Sequence, residues 1–116
     1  MHYPLIALHL AALAWATMET YFDALWTNHG LKALPQEAEG SGFVNFFART
    51  NRPTFRQIFW IETLGHNLPL GLLGLLLLSS NPSVWPWSGF GTAGLVVVAI
   101  GHIQGAKAWK KLLGVK

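Results

Sequence analysis

Three long apolar stretches constrain the fold of this chain more than any other feature of its sequence. They cover residues 3–27, 55–79 and 89–109 and are separated by polar or turn-forming segments. A helix rises about 1.5 Å per residue, so about 20 apolar residues cross the roughly 30 Å hydrocarbon core of a bilayer. Only 11% of the residues are charged, whereas soluble domains carry about 25%. The sequence therefore predicts an all-α integral membrane protein with three transmembrane helices in a single domain over residues 1–116.

The positions of the basic residues predict how these helices are oriented. All eight lie in or beside the first loop or in the C-terminal tail: Lys32, Arg49, Arg52, Arg56, Lys107, Lys110, Lys111 and Lys116. Basic residues concentrate on the cytoplasmic side of membrane proteins. Three spans place the first loop and the tail on one side, whereas two or four spans would divide the cations between both sides. We therefore expect a multi-pass protein, N-out and C-in, in a bacterial inner membrane with a cytoplasmic C-terminus.

The first loop contains an aromatic segment with helical spacing. Phe43, Phe46 and Phe47 recur at this spacing and are followed by Arg49 and Arg52. The pattern is typical of a short interfacial helix, with its aromatic side against the acyl chains and its arginines at the headgroups. A loop that packs on its own protein is an equally good interpretation, and the sequence leaves both open.

Ionisable side chains from all three predicted spans fall at one depth. Measured from the cytoplasmic ends, Glu19, Glu62, His66 and His102 lie roughly 10–16 Å into the membrane. Asp23 lies one turn from Glu19, on the same helix face. Such groups cost at least about 2.5 kcal/mol each when they face lipid, so we expect them to turn inward and pair. The pairs with the lowest cost join a carboxylate to an imidazole, for instance Glu62 with His66 or Glu19 with His102.

This polar layer has several open interpretations. As a metal site it would use Glu19, Glu62, His66 and His102, which are ligand types that zinc and iron accept. As a cofactor site it would bind haem or (bacterio)chlorophyll through His66 or His102. The same four residues are the candidates for catalysis or a proton relay. Alternatively, they only hold the helices to one another or to partner subunits.

Glycines suggest close helix packing. Gly94, Gly101 and Gly105 share a face of the third span, and Gly71 and Gly74 lie similarly in the second. Small residues at this spacing allow helices to approach closely, within a chain or between chains. A chain of three spans buries little protein surface by itself. We therefore expect other membrane subunits, or copies of this chain, as partners in addition to membrane lipids.

Several classes of site are excluded by the sequence. Residues 89–94 match the GxGxxG pattern, but they open an apolar helix and do not follow a strand, so we expect no nucleotide site. The cations flank apolar segments and form no stripe on one face, which argues against nucleic acid as a partner. The chain contains no cysteine, so disulfides and thiolate ligands are absent.

One short stretch resembles the second helix of the MAPEG family of membrane glutathione and eicosanoid enzymes. Arg56, Asn67 and Pro69 fall in register with that family's arginine and its Asn-x-Pro run. Thr63 and His66 occupy the positions of the family's asparagine and glutamate, and the family's fourth helix has no counterpart. The resemblance implies a membrane enzyme that acts on lipophilic substrates.

Two functional hypotheses follow from these patterns. In the first, the chain is a non-catalytic subunit of a larger membrane complex, for example a bioenergetic one. In the second, it is a membrane-embedded enzyme or cofactor-binding protein that uses the Glu/His layer on a lipophilic substrate, haem, pigment or metal ion.

Overall fold

The computed structural model describes residues 3–115 and shows an all-helical protein. Helices account for 82% of it, and no strand occurs in the described residues, which confirms the all-α class. The α-helices are α1 (Tyr3–Ala33), α2 (Gly42–Ala48), α3 (Phe55–Glu62), α4 (Leu68–Leu78) and α5 (Ser88–Leu112). A π-helical turn, Thr63–Asn67, joins α3 to α4, and a 3-10 helix, Pro82–Trp87, leads into α5.

Three continuous helical rods are long and apolar enough to cross a membrane, as the sequence predicts: Tyr3–Ala33, Phe55–Leu78 and Pro82–Leu112. The first rod continues past its predicted end at residue 27. Gly30 lies in this extension and is buried against the ring of Trp109, so packing on α5 supports the additional turns. The third rod begins before residue 89, because the predicted turn between the second and third spans is itself helical.

That 3-10 helix is stabilised by local hydrogen bonds. The Asn81 side chain accepts a bond of 3.0 Å from the backbone N–H of Ser83 and so caps its start. The indole of Trp85 donates to the Ser80 carbonyl at 3.0 Å. Asparagine and serine favour such caps and turns because their side chains bond to nearby backbone groups.

The first loop does contain the short helix α2. The Ser41 hydroxyl caps it by accepting from the backbone N–H of Val44, whose side chain is buried. Phe43 packs on Gly65, where an added Cβ would lie 2.5 Å from the phenyl ring, and is 37% exposed, whereas Phe46 and Phe47 are 75% and 58% exposed. The helix thus packs on the protein and also presents two aromatic rings outward. Its placement at a membrane surface stays a prediction.

The bundle has a narrow core made of small side chains. Ala12 and Ala16 of α1 pack against Leu95 and Ala99 of α5, and all four are buried. Most large apolar side chains point outward instead, as in the cases of Val97 at 68% exposure and Leu76 at 64%. Exposed apolar surface of this extent is compatible with a multi-pass protein whose rods face lipid.

The first loop is tied to the end of α1 by a single guanidinium. Arg52 donates to the carbonyl of Pro35 at 2.9 Å and also to the carbonyls of Leu31 and Glu37. The last carbonyls of a helix lack intrahelical partners, so a cation there satisfies them and interacts favourably with the helix dipole. This contact fixes the direction in which the loop leaves α1.

Candidate functional site

Asp23 and His102 form the closest polar contact between α1 and α5. The Asp23 Oδ2 and His102 Nδ1 atoms are 2.6 Å apart, and both side chains are mostly buried. Gly105 makes room for the carboxylate, because a Cβ at this position would lie 2.8 Å from Asp23 Oδ1. A small residue at the crossing point therefore allows an acidic side chain to reach across the bundle.

Glu62 and His66 form a second pair at the junction of α3 and the π-helical turn. Glu62 Oε2 lies 2.7 Å from His66 Nδ1, which confirms the pairing predicted from their spacing. In the turn, the N–H of Leu68 bonds to the Thr63 carbonyl five residues earlier. Pro69 follows directly and supplies no N–H, so the regular hydrogen-bond ladder could not continue unchanged there. Such π-helical turns occur frequently at functional sites.

The two pairs meet at His102. Its Nε2 lies 3.9 Å from Oε2 of Glu62, which is too long for a direct hydrogen bond but short enough for electrostatic attraction when the imidazole is protonated. Asp23, His102, Glu62 and His66 therefore form one continuous group, which we call the acid–base array. Three of the side chains are 11–17% exposed, whereas His66 is 38% exposed and forms the open end of the array.

Glu19 does not belong to this array, so the predicted pairing of Glu19 with His102 is wrong. Glu19 lies instead in a surface hollow with Trp26, Lys107 and other residues of α1 and α5. Positions four apart on a helix differ by about 6 Å along its axis and by about 40° around it. That offset is enough for Asp23, and not Glu19, to reach His102.

Next to the array, the polar side chain of Asn67 crosses to α1. Its Nδ2 donates to Thr20 Oγ1 at 3.0 Å, and Thr20 donates in turn to the Ala16 carbonyl at 2.7 Å. Asn67 Oδ1 and Thr63 Oγ1 are buried and have no hydrogen-bond partner within residues 3–115. No chemical pattern in the sequence marks Thr20, although its spacing from Ala16 places both residues on the buried face of α1.

Glu39 of the first loop is a further acidic residue that sequence reasoning missed. The loop holds its backbone firmly, because its N–H donates to the Asn51 carbonyl and its carbonyl accepts from Asn45 Nδ2, both at 2.8 Å. The carboxylate accepts a hydrogen bond of 3.1 Å from the backbone N–H of Ser41. No spacing rule relates Glu39 to the spans, so the position of its carboxylate could not be predicted without knowing how the first loop folds.

The charge of Glu39 is coupled to the array. Burial raises the pKa of this carboxyl, and the negative charges of Asp23 and Glu62 raise it further, while backbone hydrogen bonds from Ser41 and Gly40 oppose the increase. A carboxyl group in this position releases its proton less readily than in the unfolded chain. Glu39 therefore extends the acidic character of the array into the first loop.

Replacing Glu39 with glutamine is expected to stabilise the protein at neutral pH. Because the folded-state pKa is raised, the unfolded chain gains more from ionisation, and wild-type stability falls as the pH rises from the unfolded value towards the folded one. Glutamine keeps an acceptor for the Ser41 N–H and does not ionise. Thermal unfolding in detergent should show the variant more stable than wild type at pH 7 and equally stable near pH 4. Equal stability at both pH values would contradict the coupling.

Binding of haem, (bacterio)chlorophyll or a metal ion stays a prediction. Within residues 3–115, no group of three or more histidine and acidic side chains is arranged so that it could hold a metal ion. Both ring nitrogens of His102 face carboxylates, those of Asp23 and Glu62. In the described part of the chain, no protein group is hydrogen-bonded to His66 Nε2, and His102 Nε2 approaches only Glu62, at 3.9 Å.

His9 forms a separate polar contact at the other end of the bundle. Its fully buried ring bonds to Thr92 Oγ1 through Nδ1 at 2.8 Å and to the Gly71 carbonyl through Nε2 at 2.9 Å. A carbonyl only accepts, so Nε2 carries a proton, and in the neutral ring Nδ1 accepts from the Thr92 hydroxyl. The side chain of His9 therefore connects α1, α4 and α5.

The comparisons with known proteins add no assignment. No protein-family model, curated protein or solved structure matches this chain. The MAPEG resemblance around Asn67 therefore remains a local one, and the array must be interpreted from its own geometry.

Proposed function

We propose that this chain is a three-span membrane protein in which the acid–base array accepts and transfers protons at the cytoplasmic end of the bundle. The observation that carries the proposal is the alternation of carboxylate and imidazole from Asp23 through His102 and Glu62 to His66, in which the widest gap is the 3.9 Å between His102 and Glu62. Ionisable groups are costly within a membrane and mark proton relays in many transporters and pumps. If these side chains only held the helices together, fewer ionisable groups would be needed.

The distribution of cations supports the orientation in this proposal. Consecutive spans alternate in direction, so the end of α1, the start of α3 and the end of α5 lie on one side. All lysines and arginines follow or flank these ends, and such clusters face the cytoplasm. With N-out and C-in, the array lies in the cytoplasmic half of the membrane. The proposal keeps the bacterial inner membrane as its location.

The geometry suggests how a proton moves along the array. Histidine exchanges protons near neutral pH, and a carboxylate that accepts from one ring nitrogen fixes which nitrogen is protonated. With Nδ1–H of His102 donated to Asp23, Nε2 faces Glu62 and takes or returns a proton after a movement of about 1 Å, which would bring 3.9 Å to hydrogen-bond distance. Glu62 Oε2 already contacts His66, whose other nitrogen lies at the open end.

The proposal is tested by nitrogen-15 NMR of the histidine side chains in lipid nanodiscs. These spectra report which nitrogen of each ring carries a proton. If protons are shared along the array, Asp23→Asn should change the nitrogen-15 shifts of His66 as well as those of His102, although Asp23 does not touch His66. Glu19→Gln removes a carboxylate of the same helix outside the array and should leave the His66 spectrum unchanged. A His66 spectrum that Asp23→Asn does not change would exclude a relay.

A second candidate function is that of a non-catalytic subunit of a larger membrane complex, such as a bioenergetic one, or of a homo-oligomer. It is favoured by the surface of α5 around Gly101, where an added Cβ would meet nothing within 4 Å. Val97 and Ile100 on either side are exposed as well. A glycine without an intrachain partner in an apolar helix suits an approach by another helix.

A further inference from the structure

An apolar groove lies between α2 and the second rod, beside the open end of the array. Its volume is about 390 Å³, and it is lined by Phe43, Phe47, Trp60, Ile61, Leu64 and Gly65. Trp60, Leu64 and Phe47 are more than half exposed, so the groove opens sideways. On a membrane-spanning rod this opening faces the acyl chains of the bilayer, which gives a lipid chain direct access.

The floor of the groove depends on Gly65. An added Cβ at this position would lie 2.5 Å from Phe43, so the phenyl ring rests directly on the helix backbone. The same ring is also 4.4 Å from the imidazole of His66, centre to centre. Phe43 thus lines the groove and also contacts His66, which does not itself line the groove.

Two arginines lie close in the chain to residues that line the groove. Arg56 precedes Trp60 by one helical turn and therefore lies on the same face of α3. Arg49 follows Phe47 by two residues at the end of α2. Both side chains are exposed, and within residues 3–115 neither forms an ion pair with an acidic side chain. The groove thus joins an apolar channel to uncompensated positive charge.

We propose that this groove is a binding site for an anionic phospholipid of the bilayer. One acyl chain lies along Trp60 and Leu64 towards Gly65, and the phosphate interacts with Arg56. Arginine binds phosphate through paired, charge-assisted hydrogen bonds. Basic groups at the cytoplasmic surface favour anionic lipids by about a factor of five each. The inference goes beyond the proton relay and does not depend on it, because lipid binding is measured at Trp60.

The test uses the full chain in nanodiscs of phosphatidylcholine that contain a small fraction of a brominated lipid. Bromine quenches nearby tryptophan, and the difference between wild type and Trp60→Phe isolates the signal of Trp60. We expect brominated phosphatidylglycerol to quench Trp60 at about a tenfold lower mole fraction than brominated phosphatidylcholine. Arg56→Gln should remove most of this preference, whereas Arg56→Lys should keep most of it.

A second pair of variants tests the groove separately from the charge. Leu64→Phe fills the groove and should weaken quenching by the anionic lipid about tenfold. Leu73→Phe adds the same ring on the exposed surface of α4 and should have no effect. Equal quenching by the two lipids, or equal behaviour of these two variants, would overturn the site. Stronger quenching by a brominated free fatty acid than by phosphatidylglycerol would overturn the assignment to a phospholipid.

Discussion

Replacing Asp23 with leucine is expected to lower the free energy of unfolding by about 2–3 kcal/mol, because a buried imidazole would lose its hydrogen bond to a carboxylate. His102 is the partner, at 2.6 Å, and its other nitrogen faces Glu62. The imidazole would lose its strongest hydrogen bond while it remains between two helices. Reversible unfolding by sodium dodecyl sulfate in mixed micelles, followed by far-UV circular dichroism, measures this loss.

A double-mutant cycle separates the contact from its surroundings. The variant with leucine at both Asp23 and His102 should lose less stability than the sum of the single changes, because no unpaired group remains. We expect a coupling energy of about 2 kcal/mol, since contacting polar residues couple by 0.5–3 kcal/mol. Glu19→Leu is the matched control, because Glu19 is half-buried on the same helix and lies outside the array. It should cost less than about 1 kcal/mol, since its replacement leaves no member of the array unpaired. If the stability losses of the two single variants add up to that of the double variant, the contact between Asp23 and His102 does not stabilise the bundle.

The three rods and the shared depth of the ionisable groups can be predicted from the length and composition of each helix alone. A rod needs only length and apolarity, and the depth of a residue along a straight helix follows from its rise per residue. Glu62 and His66 could be paired in advance because residues four apart on one helix are neighbours. The segment Thr63–Asn67, which contains His66, forms a π-helical turn, yet Glu62 and His66 remain in contact at 2.7 Å.

Other contacts depend on how the helices are rotated and how the loop folds. The choice between Glu19 and Asp23 rests on the rotation of α1 towards α5, which Gly105 fixes by allowing close approach. His9 sits on an apolar helix with no local sign that two other helices will surround it. Glu39 reaches its position through hydrogen bonds within the first loop. These contacts are determined by how the helices and the first loop pack, and the spacing of residues along the chain does not predict them.

Substitution of two glycines by alanine should give effects of opposite sign. At Gly74 a Cβ would lie 2.1 Å from the imidazole of His9, so the ring must move. Its hydrogen bonds to Thr92 and to the Gly71 carbonyl would then weaken. We expect Gly74→Ala to lower the free energy of unfolding by about 2 kcal/mol, from overpacking and lost hydrogen bonds.

Gly101→Ala is the matched substitution on the open face of α5. Nothing lies within 4 Å of the added Cβ, and alanine favours a helix over glycine by about 1 kcal/mol. Gly101→Ala should therefore leave stability unchanged or raise it by up to that amount in dilute micelles, where the chain is separate. If Gly101→Ala instead lowers stability at a high ratio of protein to detergent, and analytical ultracentrifugation there shows that it converts a larger species into a single chain, Gly101 lies at a helix contact between chains. That result would favour the subunit function, because the glycine would then be needed by a partner and not by the fold of this chain.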